Sequence, residues 1–280
     1  MWQAAAYFDE SDDNDRAYAV AGFLGHQHDC VHLHWQWEER LLKKYELDYF
    51  KASELECGKG QFAKFRDNPD PKKLDAKFSH REKTLFRQIK TESINIILDF
   101  TLIQGFGAVL MLPDYHRLSS EYDATGKILP APYFFCAQLV MMQAGFIMNA
   151  INQRPDPSQH GLVRPVFDSH QQYCGRAKQM FDFFTEKNPL SSQYLLPPDY
   201  ENDKRFLVLQ AADNFAYEAR RLLITQEYDK HVPERTAMTR LKEQVLRIYK
   251  LNYDALRMIM ENQTSDALPI KAEIENKMTL

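Results

Sequence analysis

Two apolar segments of this chain run straight into a carboxylate. Ala6-Tyr7-Phe8-Asp9 stands near the start and Leu162-Val163-Arg164-Pro165-Val166-Phe167-Asp168 in the middle. A third acid, Asp213, lies inside Leu209-Gln210-Ala211-Ala212-Asp213-Asn214-Phe215-Ala216-Tyr217. Holding an ionised carboxylate among apolar groups costs several kcal/mol unless something compensates it. Each of the three therefore calls for a partner: a metal ion, a hydrogen-bond network or an arginine.

With 280 residues the chain is long enough for one large domain or a domain carrying an insertion. The apolar fraction of 44% and aromatic fraction of 12% indicate a packed globular core. The net charge of -4 argues against a broadly basic nucleic-acid surface, so any such surface must be local. Lys59, Lys64, Arg66, Lys72, Lys73 and Lys77 offer one such patch, and Arg220 with Arg221 another. Cys30, Cys57, Cys136 and Cys174 are far apart and form no zinc-type pair, which suits a reduced, cytoplasmic setting. The start lacks a basic leader followed by a long apolar run, so no secretory signal is expected. Tyr133 to Ile151 approaches membrane-spanning length, but Gln138, Gln143 and Asn149 interrupt it, and a buried core helix is expected instead of a membrane span.

Hydrophobic periodicity predicts strands over Ala4 to Asp9 and Ala17 to Leu24, joined by the polar turn Ser11-Asp12-Asp13-Asn14-Asp15. A helix is predicted over 35–45, and Gly58 and Gly60 then break the chain. Ser79 and Glu82 have capping-box spacing and open a helix to Thr91, followed by a β-rich strand over 94–104. A short helix over 115–122, the long apolar helix to Asn152, the strand to Asp168 and a helix over 173–187 continue the alternation. In the helix over 206–223, Gln210, Asp213, Tyr217 and Arg220 share one face. A last amphipathic helix is predicted over 236–262, before a polar tail.

The opening Tyr7-Phe8-Asp9-Glu10-Ser11, the central strand ending in Asp168 and the late Gln210-Ala211-Ala212-Asp213 occur in the order seen in a bacterial family, domain of unknown function 3800. The chain resembles that family from residue 4 to about 225. The resemblance implies an α/β, ribonuclease-H-like mixed sheet flanked by helices, with helical insertions. It places the ribonuclease-H-like domain over 1–228 and leaves 229–280 as a C-terminal helical extension with a polar tail. It also implies a site in which carboxylates from the first strand, a later strand and a helix surround magnesium or manganese, ions that prefer hard oxygen ligands. Asp9 would be the central ligand, Asp168 the second and Asp213 the third, with Glu10 or Glu54 as a further catalytic carboxylate. Glu10 follows Asp9 and falls on the opposite strand face if the strand stays regular. The implied chemistry is metal-assisted phosphodiester cleavage of nucleic acid.

Other readings stand beside this one. Asp9 suits a turn that accepts backbone donors from Asp12 and Asp13, Asp168 suits a helix N-cap, and Asp213 suits an ion pair with Arg220 or Lys204. His26, His28, Asp29, Cys30, His32 and His34 would present imidazoles to zinc or nickel if the segment were a strand. No serine elbow, phosphate loop or dinucleotide fingerprint is present. The alternative function is a non-catalytic binding or scaffold protein of a mobile-element or phage-defence system.

Overall fold

The structure, a computed structural model, describes residues 2–67, 78–100, 103–126, 129–155, 160–169, 181–182, 184–186, 189–232, 235–241 and 245–263. The polar tail, most of the helix expected over 173–187, and Lys72, Lys73, Lys77 and Cys174 lie outside these residues.

The opening hairpin forms as the pattern requires. β1 (Trp2–Asp12) pairs antiparallel with β2 (Ala17–His26), in register from Ala4↔His26 to Asp12↔Tyr18. Asp12 and Asp13 close the turn themselves: Asp12 Oδ1 accepts from the Asn14 amide at 2.7 Å, and Asp13 Oδ1 accepts from the amides of Arg16 and Ala17. Asn14 takes the left-handed backbone the turn needs, a conformation Asn tolerates. β3 (Gln104–Met111) adds antiparallel to β2, and β4 (Gly161–Asp168) adds parallel to β1. β5 (Asp199–Glu201) and β6 (Val245–Leu251) extend the two edges in parallel, giving a mixed six-stranded sheet in the order β5-β4-β1-β2-β3-β6.

Helices cover both faces, as an α/β chain with two apolar strand faces demands. One face of the sheet, Ala17, Ala19, Ala21 and Phe23, packs under α1 (Gln27–Trp37), α2 (Ala52–Cys57), α3 (His80–Leu98), α7 (Leu207–Glu227) and α8 (Thr236–Leu241). The row of alanines on β2 faces Ala211, Ala216 and Ala219 of α7, and such small side chains let a helix lie close to the strands. The other face, Ala4, Ala6, Phe8, Val20, Phe106 and Phe167, packs under α4 (Leu112–Asp123), α5 (Pro132–Asn152) and α9 (Tyr253–Gln263). A one-turn helix, α6 (Pro189–Ser192), precedes β5. Helix α5 is long and apolar enough to cross a bilayer by composition, but most of it is buried, and it forms the core of this second layer.

Three predicted elements take other forms. The His-rich stretch is helical, because Cys30, Leu33 and Trp37 recur at helical spacing and seat α1 on the core; a π-helical segment, Glu38–Lys43, continues it. Helix α3 does not stop at Thr91: Ile89, Ser93 and Ile97 continue its buried stripe, and this packing overrides the strand preference of the isoleucines. The capping box of Ser79 and Glu82 is present at its start. The long helix expected over 236–262 is instead α8, strand β6 and α9. Residues 245–251 find an open parallel edge at β3 and bury Ile248 on one face and Tyr249 and Leu251 on the other. The stretch beyond residue 228 therefore contributes a strand to the sheet as well as helices.

Gly58 closes α2 in the left-handed conformation (φ 58°), and Gly60 repeats it two residues later (φ 51°). These are the positions where the chain must turn to bring Glu54 against the following loop.

Phe8 on β1 links β4 to β3 across Gly22 of β2, with its ring centroid 5.3 Å from those of Phe106 on β3 and Phe167 on β4. Phe8→Ala is expected to cost about 3–5 kcal/mol, read from the urea unfolding midpoint at constant slope. A loss below about 1 kcal/mol would mean that these strands are not held through this ring.

Candidate functional site

The parallel ladder aligns the first two acids. Phe8 pairs with Phe167 at the end of the ladder, and Asp9 and Asp168 are the next residue on each strand, just past this last pair. Asp168 in turn pairs with Glu201 of β5. Alternation fixes the face: Phe8 and Phe167 point into the α5 layer, so Asp9 and Asp168 point toward α7. From α7 comes Asp213. Asp9 is 3% exposed and Asp213 7%, whereas Asp168 is half-buried at the mouth.

Hydrogen bonds satisfy these acids only in part. Asp9 Oδ1 accepts from the Glu10 amide at 2.7 Å. Asp168 accepts from the amide of Ser169 at 2.9 Å and from that of Asp203. Asp213 Oδ2 accepts from the Ala52 amide at 2.7 Å, which would otherwise be an unpaired N–H at the start of α2. One turn earlier on α7, Gln210 Oε1 accepts from the Phe50 amide at 2.9 Å and from Trp37 Nε1 at 3.2 Å. Its Nε2 donates to the Asp203 carbonyl at 3.1 Å. Gln210 thus orients the wall that Asp213 belongs to.

The charges do not balance. Burial pushes the Asp9 carboxyl well above its ordinary value, and Asp213, Glu10 and Asp168 push it further, with Lys51 opposing. Burial raises Asp213 to about 6, against the pull of Lys51 and the Ala52 amide, while Asp203 and Glu10 add repulsion. Asp168 is raised by burial and by Asp203. A set of hard oxygen donors under mutual repulsion is of the chemistry a divalent magnesium or manganese ion relieves. The acids face one space without converging on a point: among the described residues no three ligands are close enough to share an ion.

The remaining candidates fall elsewhere. β1 stays paired through Asp12, so Glu10 keeps the parity of Phe8 and belongs to the α5 side of the sheet, though its charge is felt by Asp9 and Asp213. Glu54 accepts from the Tyr49 hydroxyl at 3.1 and 3.0 Å and from the Gln61 amide at 3.3 Å, in a network of its own. Arg220 does not pair with Asp213: it donates to Ser11 Oγ at 3.0 Å and lies 3.4 Å from Asp13. Arg66, expected in a basic patch, is buried against Glu82 at 3.0 Å and is closed to a ligand. Lys59 and Lys64 are exposed.

The imidazoles do not line a strand face. His26 Nδ1 caps α1 by accepting from the His28 amide, and His34 Nδ1 accepts from the Leu207 amide at 3.3 Å. His28 and His32, one helical turn apart, bring their Nε2 atoms to 3.2 Å on the exposed side. Two residues that the sequence did not single out join the acids: Lys51, just before α2, and Asp203, in the loop after β5. Asp203 follows no apolar run, and Lys51, which follows Tyr49-Phe50, is not an acid, so neither carried the signal of an acid among apolar residues that marked the other three.

No protein-family model matches the chain, and no curated protein matches it.

The raised carboxyls predict a pH dependence of definite sign. In the unfolded chain these acids ionise near pH 4. Folded, Asp213 keeps its proton to about 6 and Asp9 is also raised. Folding therefore takes up protons across this window; the stability is fully present below about pH 4 and is lost as pH rises through 6. The lowered acids Asp13, Glu56 and Glu82 act in the opposite sense, at more acidic pH. In metal-free buffer, Asp213→Asn, which keeps an acceptor for Ala52, is expected to remove on the order of 1 kcal/mol of the stability lost between pH 5 and pH 7.5. Parallel stability curves for variant and wild type would show that Asp213 is not strained by its neighbours.

Proposed function

We propose that this protein is a ribonuclease-H-like, metal-dependent nuclease or phosphodiesterase. The observation that carries the reading is the placement of Asp9 and Asp168 as neighbours on adjacent parallel strands, beneath Asp213 of a helix. An opening antiparallel hairpin, a later strand laid beside the first, and a late acidic helix are the parts such a site draws on. They also agree with the motif resemblance to the domain of unknown function 3800 family. Asp9, Asp168 and Asp213, which do not converge on one point in the free protein, would have to draw together to hold magnesium or manganese. Such an ion, when bound, supplies a Lewis acid for the phosphoryl oxygen and a lowered pKa for its water. The protein's own part is to keep three carboxylates in a half-closed niche. Asp9 and Asp213 form the deep wall, and Asp168 stands at the opening where a phosphodiester would enter.

The test combines calorimetric titration of magnesium and manganese with cleavage of labelled single- and double-stranded DNA and RNA. Wild type is expected to bind both ions and to cut at least one substrate; the Asp9→Asn, Asp168→Asn double variant loses both properties. Removing two repelling charges should leave that variant at least as stable as wild type at pH 7.5, so a loss is not a failure to fold. Wild type that binds neither ion and cuts nothing sinks the enzyme reading. The same acids would then be the contact surface of a binding or scaffold protein.

A further inference from the structure

We propose that His28 and His32 form a binding site for a divalent transition-metal ion of the zinc and nickel class on the exposed side of α1. The site is separate from the carboxylate niche and does not depend on what that niche binds. The sequence places six ligand-type residues within 26–34, and the helix sorts them. His26 Nδ1 is committed to the His28 amide at the start of α1, and His34 Nδ1 to the Leu207 amide. Cys30 is buried against the core, and burial pushes its thiol up to about 12, away from the thiolate that binds metal. His28 and His32 remain. Four residues apart, they share one face of the helix, and both are exposed.

The pair has the geometry of a chelate. The two Nε2 atoms lie 3.2 Å apart, with ring centroids at 4.4 Å. Two nitrogens each about 2.05 Å from one ion stand 3.2 Å apart when the N–metal–N angle is about 100°, between the octahedral and tetrahedral values. The other nitrogen of His28, Nδ1, has Asp29 Oδ1 at 3.9 Å. A carboxylate on that side favours the tautomer with its proton on Nδ1 and its lone pair on Nε2. In the free protein one ring can donate its Nε2–H to the other; when an ion enters, that proton moves to Nδ1 of the same ring and both lone pairs face the metal. Among the described residues no third ligand joins the pair, so water fills the remaining positions. Paired imidazoles suit zinc, nickel or copper over magnesium, and two histidines at this spacing are the paired ligands of zinc-binding helices. Because the pair forms only when α1 is helical, an ion that binds it also stabilises the fold.

Calorimetric titration of zinc, and separately of nickel, compares wild type with His28→Ala, His32→Ala, the exposed control His116→Ala and the Asp9→Asn, Asp168→Asn double variant. Wild type, the control and the double variant are expected to bind zinc at this site equally well, and each of His28→Ala and His32→Ala at least about 10-fold more weakly. Both histidines are exposed and alanine favours a helix, so these variants keep the fold. Zinc at about 100 times its dissociation constant is expected to raise the wild-type melting point by about 5 °C, and that of either histidine variant by at most half as much. Wild type that binds neither ion, or zinc affinity unchanged in both histidine variants, overturns the proposal. Zinc binding that is lost in the aspartate double variant and kept in the histidine variants also overturns it, and assigns the ion to the carboxylates.

Discussion

One side-chain amide ties the niche together. Gln210 is completely buried, and such a group is tolerable only with its hydrogen bonds made. It meets the condition with two partners remote in sequence, Trp37 at the end of α1 and the Phe50 amide before α2, and with the Asp203 carbonyl in the loop after β5. Those three contacts set where Lys51, Asp203 and α2 lie relative to Asp213. The sheet fixes Asp9 and Asp168 by strand register, and Gln210 fixes the opposing wall by hydrogen bonding. Without it the helix would still pack through Ala211, Phe215 and Leu222, but nothing polar would hold the loop segments at its acidic turn.

Helix α7 also carries a second buried acid, and the comparison shows why Asp213 stands apart. Glu218 has no exposed surface, yet Lys90 lies 2.6 Å from it and Arg235 3.4 Å, and Arg235 also pairs with Glu56 at 2.6 Å. Two cations meet one buried carboxylate there, the balanced arrangement that burial demands. Five residues earlier on the same helix, Asp213 faces repulsion with Asp9, and Lys51 is the cation that opposes it. Arg220, which could have neutralised them, is committed to Asp13 and Ser11 at the hairpin end. The molecule balances charge fully at Glu218 and leaves it unbalanced at the niche, the pattern expected of a place that takes a cation from outside.

Much of the frame was legible because it rests on local rules. The hairpin follows from two alternating apolar runs around an Asp-rich turn, α5 from a long apolar stretch punctuated by prolines, and α7 from a helical stripe. The three aspartates were legible because an acid at the end of an apolar run is costly and therefore informative. What could not be read was set by pairing at a distance. Residues 245–251 satisfy helical spacing as well as strand spacing, and only the open edge of β3 decides between them. The isoleucines of 94–97 favour a strand in isolation but bury a helical face against the core. Lys51 and Asp203 carry no local mark at all; they belong to the niche because Gln210 and the β4–β5 register bring their segments there.

The position of the acids within the sheet has a consequence of its own. β1, β4 and β5 run parallel, and Asp9, Asp168 and Glu201 lie toward their carboxyl ends. In open α/β sheets that edge is where connecting loops splay apart and leave a crevice for a ligand. Here that edge carries the carboxylates of Asp9 and Asp168, with one turn of α7 above them and Lys51 on the segment before α2. Asp13 and Arg220 close the turn of the hairpin, four residues beyond Asp9, with an internal ion pair. The uncompensated negative charge therefore lies at the β1–β4 edge beneath α7, with half-exposed Asp168 outside buried Asp9 and Asp213.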